Sequence, residues 1–250
     1  MESMEEYRKF LKSDMWTDWN AFTTDQREVV PHPPHQKPAP GDADLIDLVP
    51  HEELSVGSMP LNEVIDRRRS RRAYTSESLT LEELSFLLWA TQGVREIARG
   101  GVSAMRTVPS AGARHPFETY LAVERVEGLA PGLYRYLPLD HKLVKLSEEA
   151  ELGRQVARGC NYQSFVGRAA VTFIWTVIPY RTEWRYSFVS HKVIAIDAGH
   201  MCQNLYLASE AIGAGACAIA AYEQAVMDEL LRVDGTEEFT IYVAPVGKIK

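Results

Sequence analysis

The stretch Phe117–Leu146, FETYLAVERVEGLAPGLYRYLPLDHKLVKL, decides the fold class. Phe117 to Glu124 reads as a strand. Leu133-Tyr134-Arg135-Tyr136 and Lys142 to Leu146 read as a hairpin with its turn near Pro138-Leu139-Asp140. Downstream, Glu148 to Arg158 is expected to be helix, with Glu148-Glu149 as a favourable acidic pair at its start. Ala170 to Ile178 is β-branched and aromatic, the pattern of a buried strand with Phe173 and Trp175 in the core. Ser190 to Ile212 is the longest helical pattern. Ala216 to Ala221 follows as a short strand or loop, Gln224 to Arg232 as helix, and Phe239 to Val246 as a last strand leading into Gly247-Lys248. Upstream, Thr80 followed by Glu83 makes a capping box. Leu81, Leu84, Leu87 and Leu88 then mark an amphipathic helix through Gln92, ended by Gly93. Strands mixed with helices, some joined as hairpins, indicate an α+β layer fold. No internal repeat is present.

Residues 1–57 differ from this body, which starts at residue 58. They hold Pro31-His32-Pro33-Pro34-His35 and Pro38-Ala39-Pro40-Gly41, the composition of an extended arm. Phe10, Leu11, Trp16, Trp19 and Phe22 are its expected anchors. Proline-fixed extension argues against a metal shared by His32 and His35. The chain has 250 residues, enough for one large domain with an extension, and 46% hydrophobic residues, ample for a core. Lys plus Arg is 27 and Asp plus Glu is 34, a net charge of −7. That balance argues against nucleic acid as a partner. Three cysteines, Cys160, Cys202 and Cys217, form no metal-ligand cluster, and no metal is expected. Sparse cysteines, a charged start without an apolar signal and apolar runs too short for a bilayer lead to the expectation of a soluble cytoplasmic protein with no membrane contact.

Against this acidic background stands Arg67-Arg68-Arg69-Ser70-Arg71-Arg72, directly after the short helical pattern Pro60, Leu61, Val64, Ile65. Guanidinium offers a planar fork of donors that fits phosphate bidentately. A solvated basic turn is the plain alternative. A second element, Pro109-Ser110-Ala111-Gly112-Ala113-Arg114-His115-Pro116, is small enough for backbone to approach a flat ligand. The long helix carries Asp197, His200, Gln203 and Asn204 on an otherwise apolar surface, so it is expected in the core or in a subunit interface. His200 reads as a hydrogen-bonded core histidine. Tyr180, Arg181 and Trp184 either wall a pocket or form an exposed loop.

Together these segments resemble the FMN-dependent nitroreductase superfamily, and within it the SagB/ThcOx-type dehydrogenase branch. The resemblance rests on Arg68-Arg69-Ser70-x-Arg72, Pro109 to Ala113, Asp197-Ala198-Gly199-His200 through Asn204-Leu205, Gly213-Ala214-Gly215-Ala216 with Ile219, and Pro245-Val246-Gly247-Lys248. It covers residues 58–250 in order. It implies a nitroreductase-like fold, with a central, mostly antiparallel sheet flanked by helices. It also implies a homodimer with FMN at the interface, and NADH or NADPH as electron donor. Arg68 and Lys248 would then hold the FMN phosphate, while Arg69 and Ser70 would bond the phosphate or ribityl chain. Arg72 would lie beside the N1–C2=O edge and stabilise the reduced ring by its charge. Pro109, Ser110, Ala111 and Gly112 would lie along the flavin from the partner subunit. Ala218, Ile219 and Ala220 would face the ring.

One departure matters for the chemistry. Azoline-oxidising relatives carry Lys-Tyr where this chain has Arg185-Tyr186. Arginine is not deprotonated at ordinary pH and cannot be a general base. Arg185 is left to bind an anionic group, and Tyr186 to orient or protonate a substrate. The expected function is hydride transfer to or from a small molecule through flavin N5, by a ping-pong course. The alternatives are a dehydrogenase acting on a peptide or natural-product intermediate with partner proteins, a non-catalytic FMN-binding homologue, and a phosphate-sensing module using the Arg run alone.

Overall fold

The computed structural model describes residues 4–250; Met1–Ser3, the start of the expected arm, lie outside the described residues. In chain order the helices are α1 (Met4–Lys9), α2 (Leu61–Arg67), α3 (Leu81–Gln92), α4 (Leu152–Gly159), α5 (Tyr180–Tyr186), α6 (Ser190–Ala211) and α7 (Gln224–Leu231). The strands are β1 (Leu45–Asp47), β2 (Val94–Ala98), β3 (Ser103–Arg106), β4 (Phe117–Val123), β5 (Gly132–Leu137), β6 (Lys142–Glu148), β7 (Val171–Val177), β8 (Ala214–Ala216) and β9 (Phe239–Lys248).

Seven strands form one sheet in the order β1-β6-β5-β4-β7-β9-β8. Every neighbouring pair is antiparallel. Strand β7 lies inside the sheet, and all seven of its residues are buried. The pleat sends alternate side chains to opposite faces. Leu121, Phe173, Trp175 and Ala244 therefore meet Leu84 and Leu88 of α3 and Met201 and Leu205 of α6. Tyr120, Ala122, Ile174 and Val243 meet Leu152 and Val156 of α4 and Met227 and Leu231 of α7. The result is an α+β molecule of three layers, with a core on each face of the sheet.

The α3 capping box forms as expected: Glu83 N–H donates to Thr80 Oγ1 (3.1 Å), and Thr80 N–H donates to Glu83 Oε2 (3.0 Å). Gly93 ends the helix for a steric reason. Its φ is −55°, and a Cβ there would lie 2.5 Å from Trp89 Cδ1. Helix α6 buries Ile194, Ala198, Met201, Cys202 and Leu205 on the sheet side and leaves Ala195, Ile196, Gly199, His200 and Gln203 exposed. His200 thus stands on the outer stripe, not in the core. All three cysteines are buried and free, and burial pushes the Cys160 and Cys202 thiols up to about 12. No helix of the described residues is long and apolar enough to cross a membrane.

Three local readings are corrected, and one element was not anticipated. Glu148 does not start a helix: it closes β6 opposite Gly132, and α4 begins only at Leu152, after Glu151 turns left-handed at φ 66°. The acidic pair serves Lys145 and Gln155 instead of a helix dipole. Tyr180–Tyr186 is a helix with Arg181 and Trp184 buried, not a loop. A second, two-stranded sheet, β2–β3, turns through Gly100 and Gly101 at φ 64° and 97°. Its strands carry too little apolar alternation to announce themselves.

Among the expected anchors of the N-terminal segment, Phe10 and Leu11 are exposed. Trp16 and Trp19 instead pack on Tyr186, and Phe22 packs on Phe188. Further along, Trp184 Nε1 donates to Val30 O (2.9 Å), Arg106 to His35 O (2.9 Å) and Arg135 to Pro38 O (2.7 Å). Lys37 N–H donates to Glu118 Oε1 (2.8 Å), which also accepts from Arg181 (2.5 Å). The His32 and His35 rings stack, and His35 Nε2 bonds Gly101 O (2.7 Å). Buried ions cost desolvation, so such a network adds little net stability, but removing one member leaves a costly unpaired charge. It dictates one path for the segment, which then adds β1 to the edge of the sheet beside β6.

Candidate active site

The Arg run leaves α2 at Arg68, whose ψ of 127° breaks the helix. It then lies along the β8–β9 edge: Arg71 N–H donates to Ala216 O (2.9 Å) and Thr75 N–H to Lys248 O (2.9 Å). The five guanidinium groups have different fates. Arg67 reaches Met59 Sδ. Arg69 turns back on the carbonyls of Asp66 (2.7 Å) and Arg68 (2.8 Å). Arg71 pairs with the buried Glu210 of α6 (3.0 Å). Arg68 and Arg72 pair with no carboxylate among the described residues; they lie 5.5 Å over Tyr206 and 5.8 Å over Phe165. A groove of about 360 Å³ runs along Arg69 to Thr75, Ile249 and Lys250. Arg72 lines this groove and Arg68 lies beside it in the chain, over Tyr206; a cation without an anion is what an anionic ligand requires.

Tyr206, on α6, gathers the neighbouring candidates. Its hydroxyl accepts from Ala218 N–H (2.7 Å) and bonds Ser70 Oγ (3.1 Å), while its ring lies under Arg68. Arg68 and Ser70 thus meet the distant Ala218 at one phenol. Ile219 is buried, and its N–H is taken by Val243 O (2.7 Å), so this amide is closed to a ligand. Ala220, next to it, is exposed. Gly247 packs on the Tyr74 ring, where a Cβ would come within 2.9 Å. The Lys248 ammonium is spent inside the chain: it donates to Glu83 and to Ile212 O (3.0 Å). The charge expected to reach a phosphate is neutralised by the carboxylate that caps α3.

Pro109 to Gly112 occupies a different place. Ala111 N–H donates to both oxygens of the buried Asp197 (3.0 and 3.3 Å), and His115 N–H donates to Ser110 Oγ (3.0 Å). Gly112, Ala113 and His115 all take positive φ, of 61°, 52° and 46°. For non-glycine residues that conformation costs about 1–2 kcal/mol, so the loop is held against strain. Arg114 holds it from below, donating to Arg181 O (2.8 Å) and Val102 O (2.5 Å) with its guanidinium 4.7 Å over Trp184. Burial raises the Asp197 carboxyl and holds the His115 imidazole down to about 2, neutral at any ordinary pH. His115 is therefore structural. Arg185 and Tyr186 stand directly over Gly112, where a Cβ would lie 2.6 Å from Arg185 Cδ and 2.7 Å from Tyr186 Oη.

Two half-sites result. The loop hangs on Asp197 and the Arg68–Ser70–Ala218 group on Tyr206, nine residues further along α6. At 1.5 Å per residue that is about 14 Å, and nine residues are half a turn out of phase. One chain by itself keeps the two half-sites apart. The sequence reading missed Tyr206, took Asp197 as a polar interruption and as part of a family motif without giving it a partner, and did not connect Trp16 and Trp19 with Tyr186. Only the tyrosine and aspartate were visible as polar groups on an apolar helix.

Comparison with known proteins names the class of protein to which this antiparallel sheet and its long helix belong. Residues 65–248 match the model of the nitroreductase family. The chain belongs to that family. It is 34% identical over 208 residues to the nitroreductase-named protein MJ1384 of Methanocaldococcus jannaschii, covering 83% of this chain and 98% of that one. It is 28% identical over 138 residues to the trifolitoxin-processing protein TfxB of Rhizobium leguminosarum, covering 54% of this chain and 37% of TfxB. Among solved structures, a nitroreductase-named protein of Ralstonia eutropha superposes with TM-score 0.68 at 29% identity, covering 86% of this chain and 94% of that one.

Proposed function

We propose that this nitroreductase-family oxidoreductase uses FMN and works as a homodimer that shuttles hydride between NADH or NADPH and a small-molecule acceptor. The observation that carries the reading is the Arg68 guanidinium, left without a carboxylate over Tyr206 beside Ser70 and the Tyr206–Ala218 bond, with Arg72, also without a carboxylate, over Phe165. A phosphomonoester near −2 fits that donor set, with Arg68 on the phosphate, Ser70 on the phosphate or ribityl chain, and Arg72 towards the ring edge. Arg69 supports this from its backbone-bonded position, and Lys248 acts through Glu83 rather than on the phosphate.

The half-sites about 14 Å apart on α6 support the dimer. A two-fold axis crossing the exposed stripe Ala195, Ile196, Gly199, His200 and Gln203 would run two α6 helices antiparallel. The Asp197 end of one would then face the Tyr206 end of the other. Pro109 to Gly112 of one copy would in this way complete the basic half-site of its partner, with Ala218 and Ala220 beside the ring.

When bound, FMN supplies a two-electron carrier that alternates between donor and acceptor. This chain's residues orient the reactants around it. Tyr186 presents its hydroxyl over Gly112, where it can donate a proton, and Arg185 presents a permanent cation. The likeness to TfxB favours a second reading, dehydrogenation of a peptide intermediate with partner proteins. That reaction needs a base where this chain has Arg185, which cannot serve as one.

The test is an absorbance spectrum of the purified protein before and after anaerobic NADPH. Flavin bands that bleach are expected. Flavin bands that persist would favour the second reading, and a colourless protein that takes up no added FMN would refute both.

A further inference from the structure

The N-terminal segment reaches the candidate site although residues 16–22 lie outside the stretch 65–248 that matches the family model. The Trp16 ring lies 5.7 Å from Tyr186, the Trp19 ring 5.8 Å from it, and the two indoles 5.3 Å from each other. Both indoles are half-buried, so each keeps open surface. The segment is clipped in place. Arg27 donates to Trp19 O (3.1 Å) and Phe22 O (2.6 Å) and lies 4.6 Å over the Trp19 ring. Lys192 of α6 donates to Leu11 O (2.6 Å) and Ser13 Oγ (2.9 Å). The Arg27 bonds fix the local shape of the segment, and the two Lys192 bonds tie it to α6.

Beside this aromatic wall stands Arg185. It pairs with no carboxylate and no hydrogen-bond acceptor among the described residues, and its guanidinium lies 5.3 Å over the Tyr186 ring. Its charged neighbour is another cation, Arg114, whose pKa falls to about 10 through burial first and then through Arg185 and Arg181. Flat aromatic faces beside an uncompensated cation select a planar ring that carries a negative group.

We propose that Trp16, Trp19 and Tyr186 form the side wall of the substrate pocket, that Arg185 is its anion anchor, and that the acceptor is a planar aromatic anion such as a nitroaromatic carboxylate, whose nitro group takes the electrons while the carboxylate meets Arg185. The inference rests on the flavoenzyme reading above. It adds a specificity device supplied by the N-terminal segment.

The experiment uses the full-length holoprotein with para-nitrobenzoate and its neutral isostere para-nitrobenzamide. Each first turnover delivers two electrons and two protons from NADPH and solvent to the nitro group and releases water. Calorimetric titration of both compounds without NADPH gives binding apart from turnover. The wild type is expected to prefer the benzoate at least about tenfold in both Kd and kcat/KM, the usual worth of a charge-assisted hydrogen bond. Arg185→Gln is expected to abolish that preference. Trp16→Leu and Trp19→Leu are expected to raise KM for both compounds severalfold and to leave the preference intact, because the wall recognises the ring and not the charge. A wild type without preference, an Arg185→Gln protein that keeps it, or tryptophan variants with unchanged KM and Kd would overturn the proposal while a bleaching flavin left the flavoenzyme reading standing. A colourless protein would remove both.

Discussion

Tyr206→Phe tests the assembly of the basic half-site most directly. The substitution keeps the ring, its volume and the face under Arg68, and removes only the hydroxyl. Lost with it are the bonds from Ala218 N–H (2.7 Å) and to Ser70 Oγ (3.1 Å). Each is worth about 0.5–1.5 kcal/mol net, so the expected cost is about 2 kcal/mol. In a chain of this size that lowers Tm by about 4–8 °C. The functional effect separates it from an ordinary core lesion. Ser70 and Ala218 lose their common reference point, and the FMN dissociation constant should rise about tenfold, equivalent to about 1.4 kcal/mol. Thermal melting followed by circular dichroism and titration of FMN by quenching of its fluorescence give the two numbers. Tyr222→Phe is the control: its hydroxyl donates to Thr240 O (3.0 Å) on the other face of the sheet. It should lower Tm and leave FMN affinity alone. If Tyr206→Phe and Tyr222→Phe behave alike towards FMN, Tyr206 organises nothing and the half-site is drawn wrongly.

Arg68→Ala combined with Arg72→Ala should abolish flavin retention through purification, because both unpaired cations are removed at once; full FMN content in that variant would sink the phosphate assignment. His115 gives a pH signature. Its imidazole stays neutral in the folded protein down to about 2, whereas the unfolded chain protonates it near 6.5. Below that pH the unfolded state gains a proton that the folded state refuses, and stability falls by about 1.4 kcal/mol per pH unit. His115→Asn tolerates the left-handed backbone and should flatten the acid limb of a Tm–pH curve by that slope, so parallel curves would contradict the burial. Gly112→Ala should leave Tm within a few degrees and depress kcat, because the new methyl pushes Arg185 and Tyr186 off the loop; unchanged turnover would mean those two side chains do not serve the reaction.

The layers of the fold were legible because their signals are local. Strand β7 is buried along its whole length, and its composition says so. The α3 cap is a four-residue exchange of hydrogen bonds. Errors fell where tertiary pairing competes with local preference. Glu148 has helix-starting chemistry, yet the ladder with Gly132 holds it in β6. Tyr180–Tyr186 carries no clear period and becomes helical on packing Trp184 and Arg181. The β2–β3 ribbon has three consecutive exposed positions and little pattern to find.

The site divides in the same way. Charge type along residues 67–72 and small side chains along 109–113 are properties of the residues themselves, so the sequence alone could nominate a run for binding an anion and a loop for close approach. Which arginines stay free is not such a property. Asp66 O takes Arg69, Glu210 takes Arg71 and Glu83 takes Lys248, and the two carboxylates lie 139 and 165 positions from the cations they neutralise. Nor is there any local sign that Trp16 meets Tyr186 across 170 positions. Periodicity and composition report what one segment prefers. The sharing out of charges and aromatic faces among distant segments follows only from the geometry that brings them together.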